Sequence, residues 1–203
     1  MKLNKSVVFF DTQFQKQTCA EDFVLNPFEI LALDYLQGTI LDLGCGLGNL
    51  SLEAGARGHS VVAIDASPAA IARINADAKL TSVNVEAIQA DLSEWSLEDS
   101  YDTILLIGIL SYFPRERAFE LLRNVQEQVR PGGRLVINVL LEGMTYREMF
   151  DGDHYYLFAP GELQSCFTGW KILVESQHSF PAPGGTEKKL QTLIVEKPAQ
   201  SSP

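Results

Sequence analysis

Short apolar runs alternate along this chain with stretches in which apolar residues recur every three or four positions, the two patterns of strands and helices. TILDL, Thr39–Leu43, is a strand-like run that stops at glycine, and a helix is expected from about Leu47 to Arg57, ending at Gly58. SVVAI, Ser60–Ile64, is a second strand rich in β-branched residues. Ser67-Pro68 then supplies a helix N-cap and a proline at the first helical position, with Ile71, Ile74 and Ala78 behind it at helical spacing. Asn84–Ala90 and Tyr101–Ile107 predict the third and fourth strands. Pro114 opens a helix whose apolar stripe is Ala118, Leu121, Leu122, Val125 and Val129; Pro131-Gly132-Gly133 ends it in a turn, and Arg134–Leu140 is the fifth strand.

After Leu141 the pattern changes. Glu142–Ala159 is irregular and aromatic, a short helix is expected over Pro160–Phe167, and Trp170–Val174 and Leu190–Val195 form a terminal pair of strands. The connection SFPAPGGTEKK is too long for a tight turn and is expected to be a surface loop. Upstream, Asn26-Pro27 initiates a helix over about Phe28–Leu36, placed beside the sheet edge. Alternating strands and helices joined by short connections predict an α/β, doubly wound, mostly parallel sheet with helices on both faces. Residues 1–37 are expected to form an N-terminal helix and lid, 38–197 the main domain, and 198–203 a flexible tail.

Composition narrows the function. At 203 residues the chain suits one domain. Sixteen Lys and Arg against 26 Asp and Glu leave a net charge of −10 with no dense basic run, which argues against a nucleic-acid partner, since such binding draws on clustered cations. No apolar run is long enough to span a bilayer and no cleavable leader is evident, so no membrane partner and a cytoplasmic location are expected. Cys19, Cys45 and Cys166 have no paired spacing, which predicts neither a disulfide framework nor a metal site.

The chemistry concentrates in LDLGCGLGNL. Gly44, Gly46 and Gly48 let the chain turn sharply and admit a ligand to the backbone, and the helix beyond offers free amides. Asp65, at the end of the second strand, is placed to accept from both hydroxyls of a ribose. A nicotinamide loop would carry its third small residue at position 49, which is Asn49; here it is Gly48. Asp42, at the strand–loop junction, favours a cationic amino-acid ligand over a pyrophosphate. S-Adenosylmethionine, with an ammonium, a sulfonium and no phosphate, matches both features.

LDLGCGLG, VVAIDAS, QADLSEW, YDTILLIGILSYF and VRPGGRLVI, in this order from about Gly38 to Leu140, make the chain resemble the class I S-adenosylmethionine-dependent methyltransferases. The resemblance implies a seven-stranded sheet in the order 3-2-1-4-5-7-6 with strand seven antiparallel. It implies that Asp42, Gly44 and Gly46 hold the methionine moiety, Asp65 the ribose, Ala66 and Leu92 the adenine ring, and Asp91 the adenine amino group, with Ile107 and Gly108 bordering the methionine chain. S-Adenosylhomocysteine would be the product. GCGLGNLSLEAGARGHSVVAIDASPAAI and the tail segments YYLFAPGELQSCFTGWKI and LQTLIVEKP further resemble the small tellurite-resistance-type methyltransferases. Those carry His-Arg after strand six; here His178 precedes Ser179, and Lys188 and Lys189 stand where arginine is expected, so the anion-binding guanidinium fork is missing.

The expected activity is methyl transfer to a small-molecule acceptor: a thiol, chalcogen oxyanion, amine or oxygen nucleophile. A non-catalytic S-adenosylmethionine-binding or regulatory protein with the same fold is the alternative. Alignment can supply most of the catalysis, and a base is needed only if the acceptor must lose a proton. Tyr112, His154 and His178 are the candidate catalytic residues, beside Phe113, Tyr155 and Tyr156. Phe9, Phe10, Phe14 and Phe23 suit either a lid over the cofactor or an edge helix.

Overall fold

The computed structural model describes residues 5–20, 23–95, 97–152 and 154–199; residues 200–203 of the expected tail and residues 1–4, 21 and 22 of the expected lid lie outside them. Seven strands form one sheet: β1 Thr39–Leu43, β2 Ser60–Asp65, β3 Val85–Gln89, β4 Tyr101–Ile107, β5 Val129–Leu140, β6 Lys171–Ala182 and β7 Thr186–Glu196. Their order is β3-β2-β1-β4-β5-β7-β6, with β7 antiparallel to both neighbours, as the resemblance implied.

The helices are α1 Lys5–Cys19, α2 Pro27–Leu33, α3 Asn49–Ala56, α4 Pro68–Thr81, α5 Arg115–Gln128 and α6 Glu162–Ser165. One face of the sheet buries Leu41, Leu43, Ile104, Leu106 and Ile137 against Ala118, Leu121, Leu122 and Val125 of α5 and against Phe158, Leu163 and Phe167. The opposite face buries Ile40, Val61, Leu105, Val136 and Ile194 against Ala32 of α2 and Leu50 and Ala54 of α3. Period-two alternation along the strands thus feeds two separate cores. A third cluster, with Met144, Tyr146, Met149 and Phe150, lies beyond the carboxyl end of β5.

Four expectations need correction. α2 packs over the centre of the sheet rather than its edge, because Ala32 meets residues of the inner strands. Val129 begins β5 opposite Tyr101 instead of ending α5, and Pro131-Gly132-Gly133 is looped out within that strand before regular pairing resumes at Thr103↔Arg134. SFPAPGGTEKK is no surface loop: β6 and β7 pair continuously from Val174↔Ile194 to Ala182↔Thr186, and only Pro183-Gly184-Gly185 turns. Pro181 is tolerated because β6 is the sheet's edge, where a missing N–H need not cost a ladder bond. His178 therefore sits within β6, opposite Leu190, and not in a loop after it. Among the described residues no helix is long and apolar enough to cross a membrane, and no metal-ligating cluster is found.

Candidate functional site

A cavity of about 800 Å³ opens at the carboxyl ends of the parallel strands, the position at which open α/β sheets bind ligands. The glycine loop forms its floor. Gly44, Gly46 and Gly48 all have positive φ (71°, 53° and 70°), and an added Cβ would meet Ile109 at 2.8 Å, Phe14 at 3.1 Å and Ile74 at 2.5 Å respectively. Glycine is required here for both conformation and space.

Asp65 ends β2 beside this loop. Its Oδ2 accepts from the Gly46 amide at 2.9 Å and its Oδ1 from the Ser67 amide at 2.8 Å, so it braces the loop against the start of α4 and still keeps acceptor capacity. Burial raises its pKa, against the lowering pull of these amides. Ala66, Asp91, Leu92, Ile107 and Gly108 also line the cavity. Asp91 Oδ1 accepts from the Ser93 amide at 2.9 Å, a local cap that leaves its second oxygen available.

Asp42 does not itself line the cavity. It is 4% exposed in β1, its Oδ2 accepts from Ser51 Oγ at 2.6 Å, and burial, with Glu29 and Asp65 nearby, raises its pKa to about 7. Glu29 of α2 is the acid that sequence reasoning missed. It faces the cavity, its Oε2 accepts from the backbone N and Nδ2 of Asn26 at 2.6 and 2.9 Å, and burial raises its pKa. The Asn26-Pro27-Phe28-Glu29 spacing is a capping box, and that was the available signal. Asp42, Glu29 and Asp65 together make this end of the cavity acidic. Cys45 lies on the loop between them, and burial, then Asp42 and Asp65, hold its thiol protonated.

Helix α1 roofs the cavity with Ser6, Phe10, Gln13 and Phe14. Asp11 Oδ1 accepts from Ser67 Oγ at 2.5 Å and from the Ala69 amide at 3.2 Å, tying α1 to the amino end of α4. At its other end the Lys5 amide donates to Asp151 Oδ2 at 3.0 Å. The Phe10 ring meets Tyr112 edge-on at 5.1 Å. The aromatic N-terminal segment thus sits over the glycine loop, not at the sheet edge.

The remaining part of the cavity, away from the acids, is lined by Tyr112, Asn138, Leu140, Met149, Phe180 and Lys188, among others. Tyr112 Oη donates to Met149 Sδ at 3.2 Å, and burial pushes its pKa still higher, so it offers a hydrogen bond and not a base. His154 and His178 are exposed and do not line the cavity. The His178 ring lies 6.2 Å from that of Phe180, two residues on along the same strand face, at the rim. The structure therefore brings Tyr112 to the cavity but neither histidine. Asn138 and Ser6, which sequence reasoning did not single out, are there; the only trace of Asn138 is a polar residue inside the apolar run LVINVL.

A family profile described as a methyltransferase domain matches residues 40–133. "Hemagglutinin 1" of Eikenella corrodens is 28% identical over 164 residues, covering 78% of this chain and 54% of that protein. The "Probable S-adenosyl-L-methionine-dependent methyltransferase TehB" of Haemophilus influenzae (strain 10810) is 27% identical over 165 residues, 78% of this chain and 57% of that protein. This chain thus spans little more than half of either relative's length. The crystal structure of TehB from Haemophilus influenzae matches with a TM-score of 0.77 at 20% identity, over 89% of this chain and 65% of that one, a likeness of fold.

Proposed function

We propose that this chain, a class I methyltransferase by domain and by fold with TehB among its relatives, binds S-adenosylmethionine in this cavity and methylates a small-molecule acceptor. The observation that carries the reading is the convergence of the three-glycine loop with Asp65, Asp91, Glu29 and several aromatic side chains on a single cavity.

The fit to the cofactor rests on chemistry as well as shape. The glycine floor has no room for a Cβ because Ile109, Phe14 and Ile74 pack against it, and the loop still lines the cavity, where its backbone is open to a ligand. Acids crowd that end, which suits an ammonium and a sulfonium and repels a pyrophosphate. Asp65 would hold the ribose hydroxyls, Asp91 and Leu92 the adenine, and Glu29, backed by Asp42, the methionine ammonium. Bound there, S-adenosylmethionine supplies a methyl carbon already activated by its sulfonium; an acceptor lone pair takes the methyl, the carbon–sulfur electron pair stays on sulfur, and S-adenosylhomocysteine remains. The chain's own residues align and enclose. α1 and its phenylalanines exclude water, and Tyr112, its hydroxyl held by Met149, walls the cavity beside Ile109 and Phe113. Among the described residues neither His154 nor His178 lines the cavity, which suits alignment as the main source of rate. Titration with S-adenosylhomocysteine and with NADH tests the reading: the first should bind and the second should not, and the reverse would overturn it.

The elevated Asp42 pKa adds a pH signature. In the free protein Asp42 takes up a proton below about pH 7. A bound ammonium favours the carboxylate, lowers that pKa and expels the proton. Affinity for S-adenosylhomocysteine is therefore expected to rise with pH up to about 7, by at most about tenfold per unit for one proton. It should level off above that, until the ligand's own amine begins to titrate near pH ~8. Calorimetry in buffers of different ionisation enthalpy should report proton release at pH 6.5, and Asp42→Asn should flatten the profile; a profile that Asp42→Asn leaves unchanged would remove Asp42 from the site.

A further inference from the structure

Charge is distributed unevenly in the cavity. Its acids Glu29, Asp65 and Asp91 belong to the cofactor end, whereas Lys188 is the one cation among the described residues that line it. Lys188 is half-buried on β7, and no carboxylate lies within ion-pair distance of it among the described residues; its neighbour Lys189 instead reaches Glu187 at 3.8 Å and does not line the cavity. The Lys188 ammonium is held over the Tyr146 ring, 5.0 Å from its centre. Burial lowers its pKa, a cost that an incoming anion would offset.

Two further groups await a partner. Asn138 is 1% exposed; its Nδ2 donates to Thr192 Oγ1 at 2.9 Å, while Oδ1 has no hydrogen-bond partner. Ser6, 4% exposed on α1, has an Oγ with no partner among the described residues. Both line the cavity. A buried polar atom without a partner is costly, so one that lines a cavity is a place where a ligand can complete the bonding. Asn138 Oδ1 can only accept, and so calls for an O–H, N–H or S–H.

The pairing of β5, β6 and β7 sets the spacing. Asn138 pairs with Thr192, Leu140 with Leu190, and Lys188 with Phe180, so Asn138, Leu190, Phe180 and Lys188 follow one another along one face of the sheet. From Thr192 to Lys188 is four residues, about 14 Å of strand at ~3.4 Å per residue. A three-oxygen chalcogen oxyanion is too small to meet both ends of that column. A ring or short chain bearing an acid group, with the side chains reaching in from each end, spans it.

Resting on the methyltransferase reading, we infer that the acceptor is a small organic acid: its carboxylate pairs with Lys188, its apolar or aromatic body lies against Phe180, Leu190 and Tyr112, and its hydrogen-bearing nucleophilic atom meets Asn138 Oδ1. Lys188 is thereby a specificity-determining residue, and the ammonium that stands where arginine was expected selects a carboxylate on an organic frame.

The test is calorimetric binding to the full chain saturated with S-adenosylhomocysteine, using 4-hydroxybenzoate, its neutral counterpart 4-hydroxybenzyl alcohol, and selenite. The acid should bind at least tenfold more tightly than the alcohol. Lys188→Met, which keeps the apolar stem, should bring that ratio close to one, Lys188→Arg should restore it, and Lys189→Met should leave it as in the parent. Equal binding of acid and alcohol, an acid that does not bind at millimolar concentration, a ratio indifferent to Lys188→Met, or selenite bound where the aromatic acid is not would each overturn the inference. Failure of S-adenosylhomocysteine to bind, seen in the preceding titration, would overturn the methyltransferase reading itself.

Discussion

Replacing Asp65 with alanine should weaken S-adenosylhomocysteine binding by about a hundredfold, or ~2.8 kcal/mol at ~1.4 kcal/mol per decade. Two losses combine. A hydrogen bond to a charged group contributes about 1.5–3 kcal/mol, and the proposed ribose contact uses the carboxylate's remaining lone pairs. The same carboxylate also holds the Gly46 and Ser67 amides, so alanine would leave two loop donors unpaired and the glycine floor less ordered. Asp65→Asn keeps one carbonyl oxygen and should fall between the two, at roughly tenfold. Because Asp65 is the last residue of β2 and belongs to neither face core, the fold should survive, and a thermal melt run alongside checks this. An Asp65→Ala chain that binds within about threefold of the parent would show that the ribose does not sit there.

Starting the chain at Asn26 should weaken the same ligand by about thirtyfold and speed its release. α1 contributes to neither face core, but supplies the cavity's roof through Phe10 and Phe14. Burying a phenylalanine side chain is worth about 1.5–3 kcal/mol, and loss of the Phe14 cover over Gly46 is set here at ~2 kcal/mol. The hold on α1 is local: Asp11 on Ser67 and Ala69, and Asp151 on the Lys5 amide. Asp11→Ala should therefore reproduce a smaller part of the effect, a few-fold, by freeing one end. Stopped-flow release of the ligand separates roof from floor: the truncation should change the off-rate more than Asp65→Ala changes the on-rate. A shortened chain that binds as tightly as the whole would leave α1 a packing element and nothing more.

The two variants interrogate different kinds of information. The loop and the acids at the strand ends were legible because each depends on neighbours within a few residues. Positive φ requires glycine at Gly44, Gly46 and Gly48, and the turn from strand to helix places Asp42, Asp65 and Asp91 at one end of the sheet whatever the rest of the chain does. The sheet order was legible for a different reason, through a resemblance carried by five motifs in sequence.

The acceptor end was not legible in this way. Pro181, Pro183, Gly184 and Gly185 are loop signals taken by themselves, and only pairing with β7 makes an edge strand of the residues before them. That pairing moved His178 to an exposed rim and turned Phe180 and Lys188 toward the cavity. Asp11 and Glu29 lie 54 and 36 positions before Asp65 in the chain, and no local pattern ties them to its site.

By itself, then, the sequence determined the parallel core, the glycine loop and the acidic rim, because backbone conformation and strand-end position are short-range properties. Tertiary structure alone decided which helix covers the cavity, which residues face it from the hairpin, and that Lys188 is the one cation among the described residues lining a cavity that also holds three acids. Those are outcomes of long-range packing, where a side chain's surroundings come from segments far away in the chain and its own neighbours say nothing of them.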